Sequence, residues 1–215
     1  AKGSEYGVER GEVGGNERGA GGVRGKARAV MGRLLEQVQQ AEPRPNQRWV
    51  DDIGDLAARR KRRLDGEATD NSMPIKPQRV YGELRRVMPR DAIVALDAGL
   101  APNFGQDRLN YYEPRSLMTS LDLGGLGFSF PAALGAKFAA PDRPVVNFNG
   151  DGGFLFNAQE FATAVRYGLK VVTVIMNNNC WGSEKAYQRY AFNERYVGAD
   201  TNNPRYDKVD RKSVV

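Results

Sequence analysis

Asp151 and Asn178 are the residues of this chain whose types and spacing point most directly to chemistry. Asp151 sits in a Gly150-Asp151-Gly152-Gly153 turn after the apolar run 145–148. Asn178 lies in the triplet Asn177-Asn178-Asn179, after a second apolar run, 171–176. A helical pattern fills the interval. If the two runs are parallel strands joined by a crossover helix, both residues stand just past the carboxyl ends of neighbouring strands. That edge is where open α/β sheets bind ligands. A carboxylate and an amide oxygen meeting there suit Mg²⁺, which keeps few protein ligands and completes its octahedron with phosphate oxygens and water. Gly150, Gly152 and Gly153 let backbone N–H groups approach those phosphates. Each half also has a plainer reading, because Asp and Gly form turns and Asn commonly ends strands. Only the joint spacing gives the pair weight.

Several elements must position these residues. The crossover helix is signalled by Asn157 as N-cap with Glu160 three residues on, and by Gly168 after its last periodic residue. Phe161, Ala164 and Val165 form its expected buried stripe. The β-branched run 171–176 reads as a central parallel strand covered on both faces. Upstream, Pro77 opens a helix through Val87. Residues 92–96 form a buried strand ended by Asp97-Ala98-Gly99, and 100–112 read as irregular. Residues 116–121 suggest another strand, leading into Gly124-Gly125-Leu126-Gly127. A helix follows over 131–140, whose small residues Ala132, Ala133, Gly135 and Ala136 permit close packing on a sheet. The alternation predicts an α/β fold with a doubly wound, three-layer parallel sheet.

Composition bounds the rest. The 215 residues are 40% hydrophobic and 27% charged, an ordinary globular balance. The net charge of +6 is spread along the chain, except for the run Arg59-Arg60-Lys61-Arg62-Arg63. No aromatic residues interleave that run, so it reads as the solvated face of a linker helix, and neither a nucleic-acid nor a membrane partner is expected; the alternative of another class is a non-catalytic truncated fragment or a basic binding module acting through this run. There is no histidine, which excludes Ser-His-Asp, Cys-His and His-ligated zinc chemistry within the chain. The single cysteine excludes an internal disulfide and suits a cytoplasmic setting. Residues 1–25 are rich in glycine and are expected to be disordered or non-native. Residues 26–42 read as the terminal helix of a preceding domain, and 43–73 as a linker in which Trp49, Ile53 and Leu56 suggest a short docking helix. Residues 74–215 read as one incomplete domain. The Ala1 start suggests a processed or partial product.

The motif Gly150-Asp151-Gly152 with Asn177-Asn178 after the crossover resembles the thiamine diphosphate motif of the acetolactate synthase and pyruvate decarboxylase superfamily. The segment from Gly124 to Ala136 is similar to the stretch that precedes that motif in the family. The resemblance covers about residues 74–207, and 26–40 resemble the last helix of the family's central domain. It implies that Asp151 and Asn178 are side-chain ligands of Mg²⁺, with the Cys180 carbonyl as third ligand. Gly150, Gly152 and Gly153 are then placed at the diphosphate, Gly124 at the aminopyrimidine, Leu126 beneath the bent cofactor, and Trp181 among the cofactor-side residues. The cofactor would supply an electron sink for carbon–carbon bond chemistry next to a carbonyl. It implies that the activating glutamate lies in a separate pyrimidine-binding domain, usually on a partner subunit of a homodimer or homotetramer. FAD is possible only in the missing central domain. No catalytic side chain is then expected in this chain, which should show no turnover alone.

Within the superfamily, Trp181-Gly182-Ser183-Glu184-Lys185 with Gln188 is closer to sulfoacetaldehyde acetyltransferases than to acetolactate synthases. Glu113-Pro114-Arg115-Ser116 agrees with that. The implied substrate is a sulfo-aldehyde, with a keto acid as the alternative. Lys185, Arg189 and Arg195 are candidates to meet an anionic substrate, or else to pair with Glu184 and Glu194 on the surface. Cys180 as a catalytic thiol is disfavoured without a histidine to activate it.

Overall fold

The computed structural model describes residues 5–7, 22–41, 46–120, 123–206 and 208. The chain divides into two compact units, residues 1–58 and 59–215. In the first, β1 (Glu5–Gly7) pairs in parallel with β2 (Gly22–Arg24), inside the stretch 1–25 expected to be disordered; residues 1–4 and 8–21 of that stretch lie outside the described residues. Helix α1 (Ala27–Gln40) follows. Val30 is its only buried residue, and Leu34, Leu35 and Val38 are exposed, so its apolar stripe is bare among the described residues. Helix α2 (Gln47–Ala68) runs unbroken through most of the region read as a linker. The expected short docking helix and the basic run are parts of this one helix, where good helix formers outweigh the lack of an apolar core face.

The second unit carries the sheet. Its elements are α3 (Pro77–Val87), β3 (Ile93–Leu96), α4 (Leu100–Arg108), β4 (Leu117–Thr119), α5 (Ser129–Ala139), β5 (Val145–Gly150), α6 (Asp151–Leu155), α7 (Phe161–Tyr167), β6 (Val172–Met176) and α8 (Gly182–Ala191). The four strands are all parallel, in the order β4-β3-β5-β6. Val94 sits opposite both Leu117 and Val146, and Phe148 opposite Val174.

Strand alternation sorts the core into two layers. Ile93 and Ala95 face α5, where Ala133 and Ala136 pack against them. Val94 and Leu96 face the other way, with Val146 and Phe148, toward Tyr81 of α3 and Phe104 of α4. The Tyr81 and Phe148 rings lie 5.0 Å apart, a contact worth roughly 0.5–1.5 kcal/mol beyond area burial. Helices on both faces of a parallel sheet make the fold α/β and three-layered, as predicted. Gly135 was expected among the small residues against the sheet, but it is exposed on the far side of α5.

Three local expectations fail. Residues 100–112 are not irregular throughout, because α4 occupies Leu100–Arg108. Pro102 is tolerated in its first turn. Gly105 permits close approach to the sheet, since a Cβ there would lie 2.8 Å from Leu96 Cδ2. The crossover is broken into α6, a 3-10 turn over Ala158–Glu160, and α7. Asn157 does not cap it; its amide donates instead to the Gly127 carbonyl at 2.8 Å, while Glu160 accepts from the Thr163 hydroxyl. Val165 is exposed, so the stripe consists of Phe161 and Ala164. Strand β6, expected to be central, pairs only with β5 among the described residues, and Val172 is exposed. Gly168 does end α7 in the left-handed region, at φ 62°. Among the described residues, no helix is long and apolar enough to cross a membrane.

The basic run of α2, residues 59–63, belongs to the second unit and is largely neutralised within it. Arg60 pairs with Asp107, Lys61 with Asp65 and Arg63 with Glu67, and Glu67 also meets Arg108.

Candidate functional site

The chain leaves β3 toward one edge of the sheet, to β4, and leaves β5 toward the other, to β6. The carboxyl ends of β3 and β5 therefore flank a switch point, where doubly wound sheets open a ligand crevice. A cavity of about 90 Å³ lies at that edge. Leu126, Gly150, Asp151, Gly152, Gly153, Asn178, Cys180 and Trp181 all line it. Gly124, the other predicted residue, does not. It sits in a turn at φ 66°, and its N–H donates to the Ser120 carbonyl at 2.6 Å. The cavity is smaller than the roughly 300–1,000 Å³ of typical small-molecule pockets.

Asp151 is the first residue of α6 and is only 2% exposed. Its charge is favourable beside the unpaired N–H groups of the helix start. Oδ2 accepts from Asn203 Nδ2 at 2.5 Å and from Thr201 Oγ1 at 3.4 Å. Oδ1 has no hydrogen-bond partner among the described residues. The Asp151 carbonyl accepts from the Tyr206 hydroxyl at 2.9 Å. Burial, and secondarily the Asp151 charge, push that hydroxyl up to about 12, so it remains a donor.

The asparagine triplet turns the chain beyond β6. Asn177 Oδ1 accepts the N–H of Asn179 at 3.1 Å, and Asn178 Oδ1 accepts that of Cys180 at 3.2 Å. These are consecutive Asx turns, and Asn179 completes the reversal in the left-handed region at φ 55°. The plainer reading of the triplet as a strand end is thus correct, and it is compatible with a ligand role. An amide oxygen has a second lone pair, and Asn178 is exposed toward the cavity. Cys180 forms an antiparallel bridge with Asp200. The bridge uses Trp181 N–H to Ala199 O and Thr201 N–H to Asn179 O, so it leaves the Cys180 carbonyl unconsumed. Burial pushes the Cys180 thiol up, partly offset by Lys185; the sulfur is not an activated nucleophile.

The glycines differ in what they admit. A Cβ on Gly150 would meet nothing within 4 Å. At Gly152 it would lie 2.5 Å from Trp181 Cζ3, so the indole lies flush on this glycine. The indole also meets the Phe156 ring in a T-shaped arrangement, with centroids 6.1 Å apart. At Gly153 a Cβ would lie 3.2 Å from the Asp97 carboxylate. Of the three, Gly150 has room for a side chain, Gly152 has none and Gly153 has little.

Thr201, Asn203 and Tyr206 contact Asp151 without having been singled out by local patterns, and Asp97 was marked only as a strand end. Asp97 ends β3 and is 1% exposed. Its oxygens accept from Ala98 N–H at 2.7 Å, from Gly127 N–H at 3.1 Å and from Ser129 Oγ at 3.2 Å. Burial pushes its carboxyl up, and these bonds pull against that shift. Asp97 and Asn157 together clamp Gly127 and so place Leu126 at the cavity. The strand-end Asp-x-Gly was the only signal for Asp97. The segment 199–206 carried none, because the bridge that brings it in is tertiary.

The basic residues past the triplet are mostly paired. Lys185 donates to Asp200 Oδ1 at 2.5 Å, which raises its pKa, and Arg189 lies 3.6 Å from Glu194. The partner of Lys185 is thus Asp200, not Glu184. Gln188 holds the following turn by two bonds to Val197.

Residues 97–212 match the thiamine pyrophosphate enzyme, C-terminal TPP binding domain. The sulfoacetaldehyde acetyltransferase of Castellaniella defragrans is 34% identical over 148 residues, which cover 69% of this chain and 25% of that protein. The acetolactate synthase isozyme 3 large subunit of Escherichia coli is 36% identical over 176 residues, 80% of this chain and 30% of that protein. The chain thus spans about a quarter to a third of the length of these relatives. Among solved structures, the Rhodococcus jostii RHA1 thiamine diphosphate-dependent 4-hydroxybenzoylformate decarboxylase shares the fold, with a TM-score of 0.62 at 24% identity over 68% of this chain and 28% of that one. The chain belongs to the thiamine pyrophosphate enzymes, through their C-terminal TPP binding domain.

Proposed function

We propose that this chain binds thiamine diphosphate through Mg²⁺ and forms the diphosphate wall of an active site that converts sulfoacetaldehyde and phosphate to acetyl phosphate and sulfite. The observation that carries the metal reading is the donor set at the switch point. Asp151, Asn178 and Cys180 line a single cavity, and among the described residues Asp151 Oδ1 has no hydrogen-bond partner. All three donors are oxygens, as a hard cation requires, and a hard cation takes few of its ligands from protein when a diphosphate is present.

Asp151, Asn178 and the Cys180 carbonyl would hold the ion. The N–H groups of Gly152 and Gly153, in the first turn of α6, suit diphosphate oxygens. When bound, the cofactor supplies an electron sink for carbanion chemistry beside a carbonyl. Leu126 and Trp181 contribute apolar walls that exclude water from one side of the site. The Asp97 clamp keeps Leu126 at a fixed height above the sheet. The activating glutamate is assigned to a pyrimidine-side domain, on a partner subunit of a cytoplasmic homodimer or homotetramer.

The sulfonate reading is supported by the segment Trp181-Gly182-Ser183-Glu184, which borders the cavity and continues into Lys185 and Gln188. The ion pairs of Lys185 and Arg189 weaken the earlier case for them as substrate contacts. Acetolactate synthesis is the second reading, supported by relatives of that name at similar identity. The full-length protein carrying this chain separates the two. Release of sulfite from sulfoacetaldehyde and phosphate is expected; acetolactate from pyruvate without sulfite release rejects the first reading.

A further inference from the structure

Four oxygens beside the candidate metal site converge on one nitrogen. Asn203 Nδ2 lies 2.5 Å from Asp151 Oδ2, 3.0 Å from Thr201 Oγ1, 3.1 Å from Asn177 Oδ1 and 3.3 Å from Asn179 Oδ1. They come from three separate pieces of chain: the start of α6, the turn after β6, and the segment brought in by the Cys180–Asp200 bridge. An amide nitrogen has two hydrogens, so they are shared, and the shortest contact is to the carboxylate. The other end of the same side chain, Asn203 Oδ1, is buried and has no partner among the described residues. The amide is thus held by its nitrogen end, at the expense of an unsatisfied oxygen.

We propose that Asn203 is a positioning residue for the metal site. Its amide occupies Oδ2 of Asp151 and ties it to the asparagine turn, which leaves Oδ1 and Asn178 to the ion. This rests on the reading of Asp151 and Asn178 as Mg²⁺ ligands. The bland alternative is that Asn203 only fastens the 199–206 segment to the domain. The two differ in ion selectivity. Mg²⁺ demands near-ideal octahedral geometry, whereas Ca²⁺ accepts a flexible shell of six to eight oxygens. A residue that sets the carboxylate's orientation therefore matters more to Mg²⁺.

The test is calorimetric titration of the whole chain with MgCl₂ and with CaCl₂, each at saturating thiamine diphosphate. Asn203→Ala is expected to weaken Mg²⁺ binding roughly 10-fold or more, as loss of an outer partner of a metal ligand typically does, with a clearly smaller loss for Ca²⁺. Asn203→Leu, which keeps the volume, carries the same expectation if the alanine variant fails to fold by circular dichroism. Equal losses for both ions, or no loss in either variant while the unaltered chain binds Mg²⁺, overturn the role of Asn203 alone. Absence of Mg²⁺ binding by the unaltered chain overturns the metal reading and this proposal with it.

Discussion

Gly152→Ala is a sharp probe of how the cavity wall is built. Alanine is favoured over glycine in a helix interior by about 0.8–1.0 kcal/mol, and Gly152 lies in the first turn of α6, so the backbone alone predicts a small gain. The new methyl would, however, stand 2.5 Å from Trp181 Cζ3, 2.8 Å from Cη2 and 2.9 Å from Cε3. All three atoms belong to a rigid ring that is also packed against Phe156. Displacing it is an overpacking event that costs typically about 1–3 kcal/mol. The net effect in the native background is a loss of up to roughly 2 kcal/mol. In a Trp181→Ala background the clash is gone and the same substitution becomes neutral or stabilising. A double-mutant cycle read by urea denaturation should therefore give a coupling of about 1–3 kcal/mol, within the range for residues in contact. Additive effects, with Gly152→Ala equally mild in both backgrounds, would refute the packing of the indole on this glycine.

Two further predictions concern the site's frame and its completeness. Asp97→Asn puts an amide among donors that need an acceptor, at a cost of roughly 1–3 kcal/mol. Burial raises the carboxyl above its unfolded value, so the folded state binds the proton more tightly and wild-type stability falls as pH rises from about 4 through that raised value. The penalty of the variant should be largest at the acid end and shrink with rising pH in chemical denaturation series; a penalty that grows with pH contradicts a burial-dominated shift. The chain alone, given thiamine diphosphate, Mg²⁺ and either candidate substrate pair, should show no turnover, because the activating carboxylate is assigned elsewhere. Product formed by the isolated chain would disprove that assignment.

The pair of strands that carries the site was legible because its signals were local and redundant. Two β-branched runs, a left-handed glycine at 168 and polar turns at both carboxyl ends agree with one another, and they locate Asp151 and Asn178 on adjacent strand ends. Helix α4 was not legible. Its sequence holds Pro102 and Gly105, yet one is harmless in a first turn and the other gives room to Leu96 and Tyr81 lying close by. The capping box at Asn157 was a sound local pattern defeated by tertiary competition, since the Gly127 carbonyl claims that amide. The Asn203 cluster depends on a bridge between residues 20 positions apart, Cys180 and Asp200, and no periodicity reports such a contact. The full length of α2 was not legible either, because its charged residues satisfy one another along the helix and with Asp107.

The measurement that bears most directly on the central claim is calorimetric titration of thiamine diphosphate into the chain, with and without Mg²⁺, for the unaltered sequence, Asp151→Ala and the isosteric Asp151→Asn. The account predicts binding that requires Mg²⁺ and is lost in both variants while circular dichroism stays native. Undiminished binding in folded Asp151→Asn and Asp151→Ala, or binding indifferent to Mg²⁺, would contradict it.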